Sequence, residues 1–377
     1  MERFDAIVVG AGPAGSTAAY RLSSAGARVL LVDRERFPRD KPCGGGLTFR
    51  AVRQLPVSVD AVVEDVVDRV ELGYDFGKRF ERRGEGPLIL MTQRRRLDAH
   101  LAEQAASAGA EFRDGVRATA IEPDASGATV RFGDSAALTA VVIGADGVNG
   151  LTVRALGLLP LRRHGVALEG NVPYDDEARF RGRALVDLGT VPGGYAWVFP
   201  KGDHVNVGVG GWEREGPRLR EHLDRACEGY GLSRERLSSL RGYRLPMRGT
   251  GGRPLHGRVL AVGDAAGLVD PFSGDGIYEA LVSARLAAEA TLDLLAGRAD
   301  DLEPYAARLA QELDPLTSAG WGAKVAFDRY PRLTYALTRT PPAWRLAERM
   351  LRGEISSPRA ATGVLRLPVK ALKALAA

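Results

Sequence analysis

At 377 residues, 45% hydrophobic and 26% charged, the chain has the length for two or three globular domains with well-buried cores. Two cysteines, Cys43 and Cys227, exclude a disulfide framework, and five scattered histidines have no ligand spacing, so the chain reads as intracellular and metal-free. The net charge of +5 comes with no nucleic-acid-binding motif and reads as solvated arginine rather than a nucleic-acid footprint.

Met1-Glu2-Arg3 leads straight into apolar residues 4–9 without a leader pattern. No apolar run approaches the length of a membrane span, and a cytoplasmic location is expected. Residues 4–9 read as a buried parallel strand ended by glycine. A helix of small residues follows over 14–25, stopped by Gly26, then a second strand over 28–32 that closes on Asp33. A long loop, 34–48, carries Pro38, Pro42 and the triple glycine Gly44, Gly45, Gly46. Residues 96–108 look helical, with Gly109 as the stop. Residues 112–132 alternate like a β-meander with a turn near Gly127, and 141–143 form a short apolar strand ahead of Gly144-Ala145-Asp146-Gly147. From about 165 to 211 the pattern becomes apolar–polar alternation, as in Tyr195-Ala196-Trp197-Val198-Phe199, the mark of an antiparallel sheet with one buried face. Residues 258–262 return to the parallel style, 277–295 form a long alanine-rich helix, and most of the remainder is helical. No internal repeat is visible.

The strands switch style and then switch back, so an α/β domain (α+β overall) is discontinuous in sequence. The expected division gives 1–75, 95–160 and 246–296 to the first domain. An inserted antiparallel β-sheet domain takes 76–94 and 161–245, and a C-terminal helical region takes 297–377.

Gly10-Ala11-Gly12-Pro13-Ala14-Gly15 fits G-x-G-x-x-G between a strand and a helix. Gly10 permits the tight turn, Gly12 lets the backbone approach a pyrophosphate, and Gly15 lets the helix pack on the strand. The helix start adds N–H groups and partial positive charge, and Asp33 is placed to accept from ribose hydroxyls. This Rossmann-type unit does not by itself separate FAD from NAD. Asp264, at the end of strand 258–262, stands where a parallel sheet presents ligands and can hold ribityl hydroxyls. The helix starting at Ile277 can face the pyrimidine edge of an isoalloxazine. Asp146 and Gly147 form a third strand-end acid motif, which alone reads equally as an ordinary βα turn.

In this order the three motifs resemble those of FAD-dependent oxidoreductases of the p-hydroxybenzoate hydroxylase fold. Within that fold the chain resembles the geranylgeranyl reductase family. The resemblance rests on Phe37-Pro38-Arg39-Asp40-Lys41-Pro42-Cys43-Gly44-Gly45-Gly46-Leu47, on Tyr195 through Pro200, and on Gly263 through Gly267 with Pro271 through Ile277. It covers roughly 1–300. Gly150 departs from the serine or alanine usual after the second motif.

The resemblance implies FAD, reduced by NADPH or NADH, saturating C=C bonds of a hydrophobic prenyl-type substrate. It places Gly10, Gly12, Pro13, Ala14, Gly15, Asp33, Arg34, Cys43, Gly44, Arg94, Val116, Asp146, Gly147, Asp264, Gly274, Gly276 and Ile277 at the cofactor. No second G-x-G-x-x-G exists for the nicotinamide nucleotide, so the sequence does not name the donor.

An isolated alkene is a poor hydride acceptor, so its reduction calls for a proton on one carbon as hydride reaches the other. Tyr195, Trp197 and Phe199 alternate and so share one strand face. They form either a wall for prenyl methyls and a developing cation or the core face of the sheet. The expected substrate pocket is Tyr195, Trp197, Phe199 and Phe272, with Cys43, Tyr195 and Trp197 catalytic. Cys43 sits among glycines that let backbone pass close to a flat ligand, and gates the flavin or supplies the proton; as a lone cysteine it also reads as a small buried hydrophobe. The other functional reading is a flavin monooxygenase, hydroxylase- or halogenase-like, on an aromatic or polyketide substrate; a third is a non-enzymatic electron carrier. In the tail, Leu365, Leu367, Val369, Leu372 and Leu375 alternate with Arg366, Lys370 and Lys373. That end either lies on an anionic inner-membrane face or docks on the protein itself. Oligomeric state is not legible.

Overall fold

The computed structural model describes residues 1–157 and 163–376. The domain boundary expected at 160/161 and the terminal residue 377 lie outside them. Strand β1 (Glu2–Val9), helix α1 (Pro13–Ser24) and strand β2 (Val29–Val32) form the βαβ opening. In β1 every residue from Ala6 to Val9 is buried, and all of β2 is, as expected for strands covered on both faces. β1 pairs in parallel with β2 on one side and with Ser135–Gly144 on the other. The sheet continues in parallel to Val259–Ala261 on one side and Glu111–Arg113 on the other, and Leu255–His256 adds an antiparallel edge beyond Val259–Ala261.

The meander differs from expectation. Glu111–Arg113 belongs to the parallel sheet beside β2, while Ala120–Pro123 pairs antiparallel with Ala128–Phe132, which in turn pairs antiparallel with Ser135–Gly144. That last strand alternates in its first half and is fully buried in its second, so only the apolar half, 141–143, stood out as a strand. Small residues set the next layer. Ala18, Ala19 and Leu22 of α1 share a core with Ala284, Ala287 and Ala288 of the helix Ile277–Leu295, and methyl-sized side chains let two helix backbones come close.

The second sheet has seven strands in the order Ser238–Met247, Arg163–Pro173, His204–Trp212, Tyr195–Pro200, Arg183–Leu188, Arg69–Tyr74, Phe80–Arg83. It is antiparallel except where Arg183–Leu188 runs parallel to Arg69–Tyr74. Strand Arg69–Tyr74 therefore lies in this sheet, although it precedes the expected boundary at 75/76, and Ser238–Met247 runs across the one at 245/246. Val198, Val205, Val207 and Val209 pack with Leu223 and Tyr230 of helix Leu219–Tyr230. That covers one face of the sheet and leaves the other turned toward the first domain.

Helices Glu303–Arg329, Pro331–Thr338, Pro341–Leu351 and Arg366–Ala376 close the chain. The tail docks on the protein: Leu365 is buried with Leu346, Ile355 and Ala361, and Val369 packs beside them. Leu367 alone among the five tail apolar residues is exposed, at 58%. Among the described residues no helix is long and apolar enough to cross a membrane.

Candidate functional site

A cavity of about 1180 Å³ runs between the two sheets, from the glycine loop to the aromatic strand. At one end, Gly10 has φ +104, and a Cβ on Gly15 would overlap the Gly10 carbonyl, so neither tolerates a side chain. The α1 N-terminus carries no side-chain cap and has Pro13 in its first turn, which leaves backbone N–H groups facing the cavity. Space beside Gly12 is open; the guanidinium nitrogens of Arg39 and Arg94 lie 3.6 Å from where its Cβ would be. Asp98 holds both arginines, Arg94 in a bidentate pair at 2.7 Å and Arg39 at 2.7 Å.

Asp33 ties the loop together. Its carboxylate accepts from the Ala11 N–H at 2.8 Å and the Glu35 N–H at 3.0 Å. Arg34 is exposed and pairs with Glu35, while the Val116 N–H donates to the Asp33 carbonyl at 2.8 Å; both line the cavity. So do Ala14 and Gly147, whereas Gly15 lies behind the lining.

Asp146 caps the short helix Leu151–Ala155 by accepting from the Thr152 N–H at 2.9 Å. Its other oxygen is buried and unpartnered, and burial pushes the carboxyl above its ordinary range. A Cβ on Gly150 would overlap the Asp146 carboxyl, so the departure at Gly150 follows from local packing.

Farther along, Asp264 accepts from Lys41 at 3.0 Å and from the Tyr243 hydroxyl at 2.9 Å. Burial alone would raise its pKa, but Lys41 and these hydrogen bonds take it below the ordinary value. Gly274, Gly276 and Ile277 line the wall beside it, and the helix start at Ile277 has only the Asp275 carboxylate on its first N–H, at 2.9 Å.

Tyr195, Trp197, Phe199 and Phe272 face the cavity. Alternation sends Ala196 and Val198 to the valine core and the aromatics to the cavity side of the sheet. Ring centroids stand 5.9 Å apart for Tyr195–Trp197 and 6.2 Å for Trp197–Phe199. The Trp197 Nε1–H donates to the Asn206 side chain at 2.8 Å, and the Tyr195 hydroxyl donates to the Ser273 carbonyl.

Cys43 is half-buried and lines the same cavity. The glycines after it line the cavity and are also tightly packed by the protein itself. A Cβ on Gly44 would sit 2.8 Å from a Phe199 ring carbon, and Gly45 has φ +68 against the Thr92 carbonyl.

Arg39, Lys41, Glu169, Lys201 and Tyr243 are absent from the expected site, yet each lies in or beside this cavity. Burial pushes the Glu169 carboxyl up to about 6 and the Lys201 ammonium down to about 8. Among the described residues no cluster of three His, Cys, Asp or Glu side chains could hold a metal ion.

A family model for the FAD binding domain matches residues 3–172. The menaquinone reductase of Mycolicibacterium smegmatis is 34% identical over 311 residues, 76% of each chain. Digeranylgeranylglycerophospholipid reductase 1 of Methanopyrus kandleri is 33% identical over 314 residues, 78% of this chain and 81% of that one. The crystal structure of a geranylgeranyl bacteriochlorophyll reductase-like protein from Thermoplasma acidophilum matches over 100% of both chains with a TM-score of 0.80. At 23% sequence identity this is a likeness of fold.

The residues present fit a flavin dinucleotide. An uncapped helix start with two flanking arginines suits a pyrophosphate, the orphaned Asp146 oxygen awaits a donor, and the cavity runs on from the phosphate end to the aromatic wall.

Proposed function

This chain belongs to the geranylgeranyl reductase family of FAD-dependent oxidoreductases, and from that premise we propose that it saturates C=C bonds of an isoprenoid chain. The observation that carries the reading is a single cavity joining a phosphate-binding glycine loop to a wall of three aromatic rings. FAD, bound and reduced by electrons from NADPH or NADH, supplies the hydride.

The protein's own residues do the rest. The α1 N-terminus, Arg39 and Arg94 would hold the two phosphates of FAD, Asp33 a ribose and Asp264 the ribityl chain, and Gly274 to Ile277 would line the ring site. Tyr195, Trp197 and Phe199 bind the prenyl methyls, exclude water and favour positive charge developing on an alkene carbon. Hydrogen bonds to Ser273 and Asn206 fix the Tyr195 and Trp197 rings, so the wall is set before substrate arrives. Cys43 holds a proton at Sγ on the same cavity.

The test is direct. Full-length protein is reconstituted with FAD, reduced with dithionite without oxygen, and incubated with geranylgeranyl diphosphate. Mass spectrometry should show a gain of two mass units per bond reduced. A colourless protein after reconstitution overturns the cofactor assignment. An unchanged substrate, with product oxygenation only in air, overturns the reductase in favour of a monooxygenase.

A further inference from the structure

Behind Cys43 lies a second, smaller cavity of about 40 Å³, which shares Cys43 and Glu169 with the large one and adds Lys201, His204 and Asn206. That is room for a water held by several polar groups. Glu169 and Lys201 bracket the Cys43 turn. The Cys43 N–H donates to Glu169 Oε1 at 2.7 Å, while Lys201 Nζ donates to the carbonyls of Gly44 and, at 2.9 Å, Thr92.

Both side chains are almost fully buried, Glu169 at 9% and Lys201 at 2% exposure. Among the described residues neither is within 4 Å of an opposite charge. Burying two such groups is costly, and a purely structural arrangement would pair them with each other. Here they hold the backbone on either side of the Cys43 turn, whose Sγ accepts from the Gly45 N–H at 3.3 Å.

We propose that Glu169 and Lys201 are positioning residues that feed and retain the proton of Cys43, with the small cavity as its route from solvent. This rests on the reductase reading above. In each turnover the Cys43 S–H bond breaks and a C–H bond forms on one alkene carbon. The hydride pair from reduced FAD reaches the other carbon, so the alkene gains two electrons and the flavin loses two. The thiolate then takes the proton of the Glu169 carboxyl through the small cavity, and the carboxylate recovers one from solvent. Lys201 steadies the thiolate between these steps.

Groups around the pair are accounted for. From the loop come Asp40 and Lys41, from helix Arg94–Ser107 comes Arg94, and from the sheet come His204, paired with Asp203 at 2.7 Å, and Arg241, paired with Asp40 at 2.8 Å. Glu64 and Asp65 stand beyond Lys201. With burial holding the carboxyl near 6 and the ammonium near 8, both exchange protons close to neutrality.

The test reads the thiol without substrate. Full-length protein, with and without FAD, is alkylated by iodoacetamide from pH 5 to 9 and analysed by peptide mass spectrometry, with fully buried Cys227 as the internal reference. In the wild type the Cys43 rate should show an inflection near pH 6. Glu169→Gln keeps the acceptor for the Cys43 N–H and should erase that inflection. Lys201→Met should slow alkylation at pH 7 about tenfold, as loss of a neighbouring positive charge requires, and Lys201→Arg should restore much of it. Curves that keep the wild-type shape in both variants, or fall by one factor at every pH, overturn the relay. Either result leaves prenyl reduction standing, whereas a missing two-mass-unit gain would strike the reduction and leave these curves unchanged.

Discussion

Replacing Gly44 by alanine places a methyl carbon 2.8 and 2.9 Å from two carbons of the Phe199 ring. Ordinary carbon contacts are about 3.5–4.0 Å, so the ring has to retreat by roughly 1 Å, and Trp197, stacked at 6.2 Å, blocks the simplest path. Gly44 is not among the positive-φ glycines, so the penalty is steric alone. Overpacking of this kind costs about 1–3 kcal/mol, or about 1.3 °C in Tm for each kcal/mol at this chain length. With Phe199→Leu in the background the methyl has space, and Gly44→Ala should then cost less than about 0.5 kcal/mol. Thermal unfolding of the wild type, both single variants and the double variant gives the coupling, expected at about 1–2 kcal/mol. FAD retained, read from visible absorbance, is followed in parallel. Equal destabilisation in both backgrounds would refute the argument that the ring dictates this glycine. A loss confined to FAD retention would refute it too and return the position to the ligand.

Glu169 gives a pH signature. Its folded value near 6 lies above the ordinary 4.5, so the folded chain binds the proton more tightly and stability falls as pH rises between the two, by about 2 kcal/mol; Glu169→Gln should flatten that slope in urea titrations. Asp264 behaves oppositely. Its depressed value makes its contribution complete above about pH 4, with loss as pH falls through the lower folded value. Lys41→Met should make acid unfolding less steep there, followed by circular dichroism. Leu365→Ala should cost about 2 kcal/mol in thermal unfolding, since it opens the small cluster with Leu346, Ile355 and Ala361. Because that cluster covers much of the tail's apolar face, the wild type should stay in solution when mixed with anionic liposomes and floated. Recovery with the lipid would contradict the docked tail.

The opening unit was legible because its constraints are local. The glycine loop, the small-residue helix and Asp33 announce themselves within thirty-odd residues, and the helix Ile277–Leu295 begins and ends where its composition changes. What pairs across long separations was not. Nothing in Arg69–Tyr74 says that it runs parallel to Arg183–Leu188, since pairing partners over a hundred residues apart leave no periodic trace in either segment. Charged members of the site were missed for a different reason. A buried lysine such as Lys201 is written like any surface lysine, and only its place just after the buried end of strand Tyr195–Pro200 hinted otherwise. Glu169 carried a clearer signal. It alternates in phase with Ala167 and Asn171, on the face opposite Leu168 and Val172, so strand periodicity alone aimed it at the cavity. The triple glycine was noticed, but its protein neighbours Phe199 and Thr92 were not, because sequence shows that a backbone must come close without showing to what.

The order in which strands enter each sheet shapes how the molecule can be made. Arg69–Tyr74 has to wait for Arg183–Leu188, and Ser135–Gly144 for Val259–Ala261. While the nascent chain is still emerging from the ribosome, both sheets carry raw edges that only later segments seal. Asp264 arrives after nearly three quarters of the polypeptide has been synthesised, so the receptacle is assembled last and from ends that were far apart. A chain cut short before that point keeps the glycine loop but lacks Asp264 and the wall from Gly274 to Ile277.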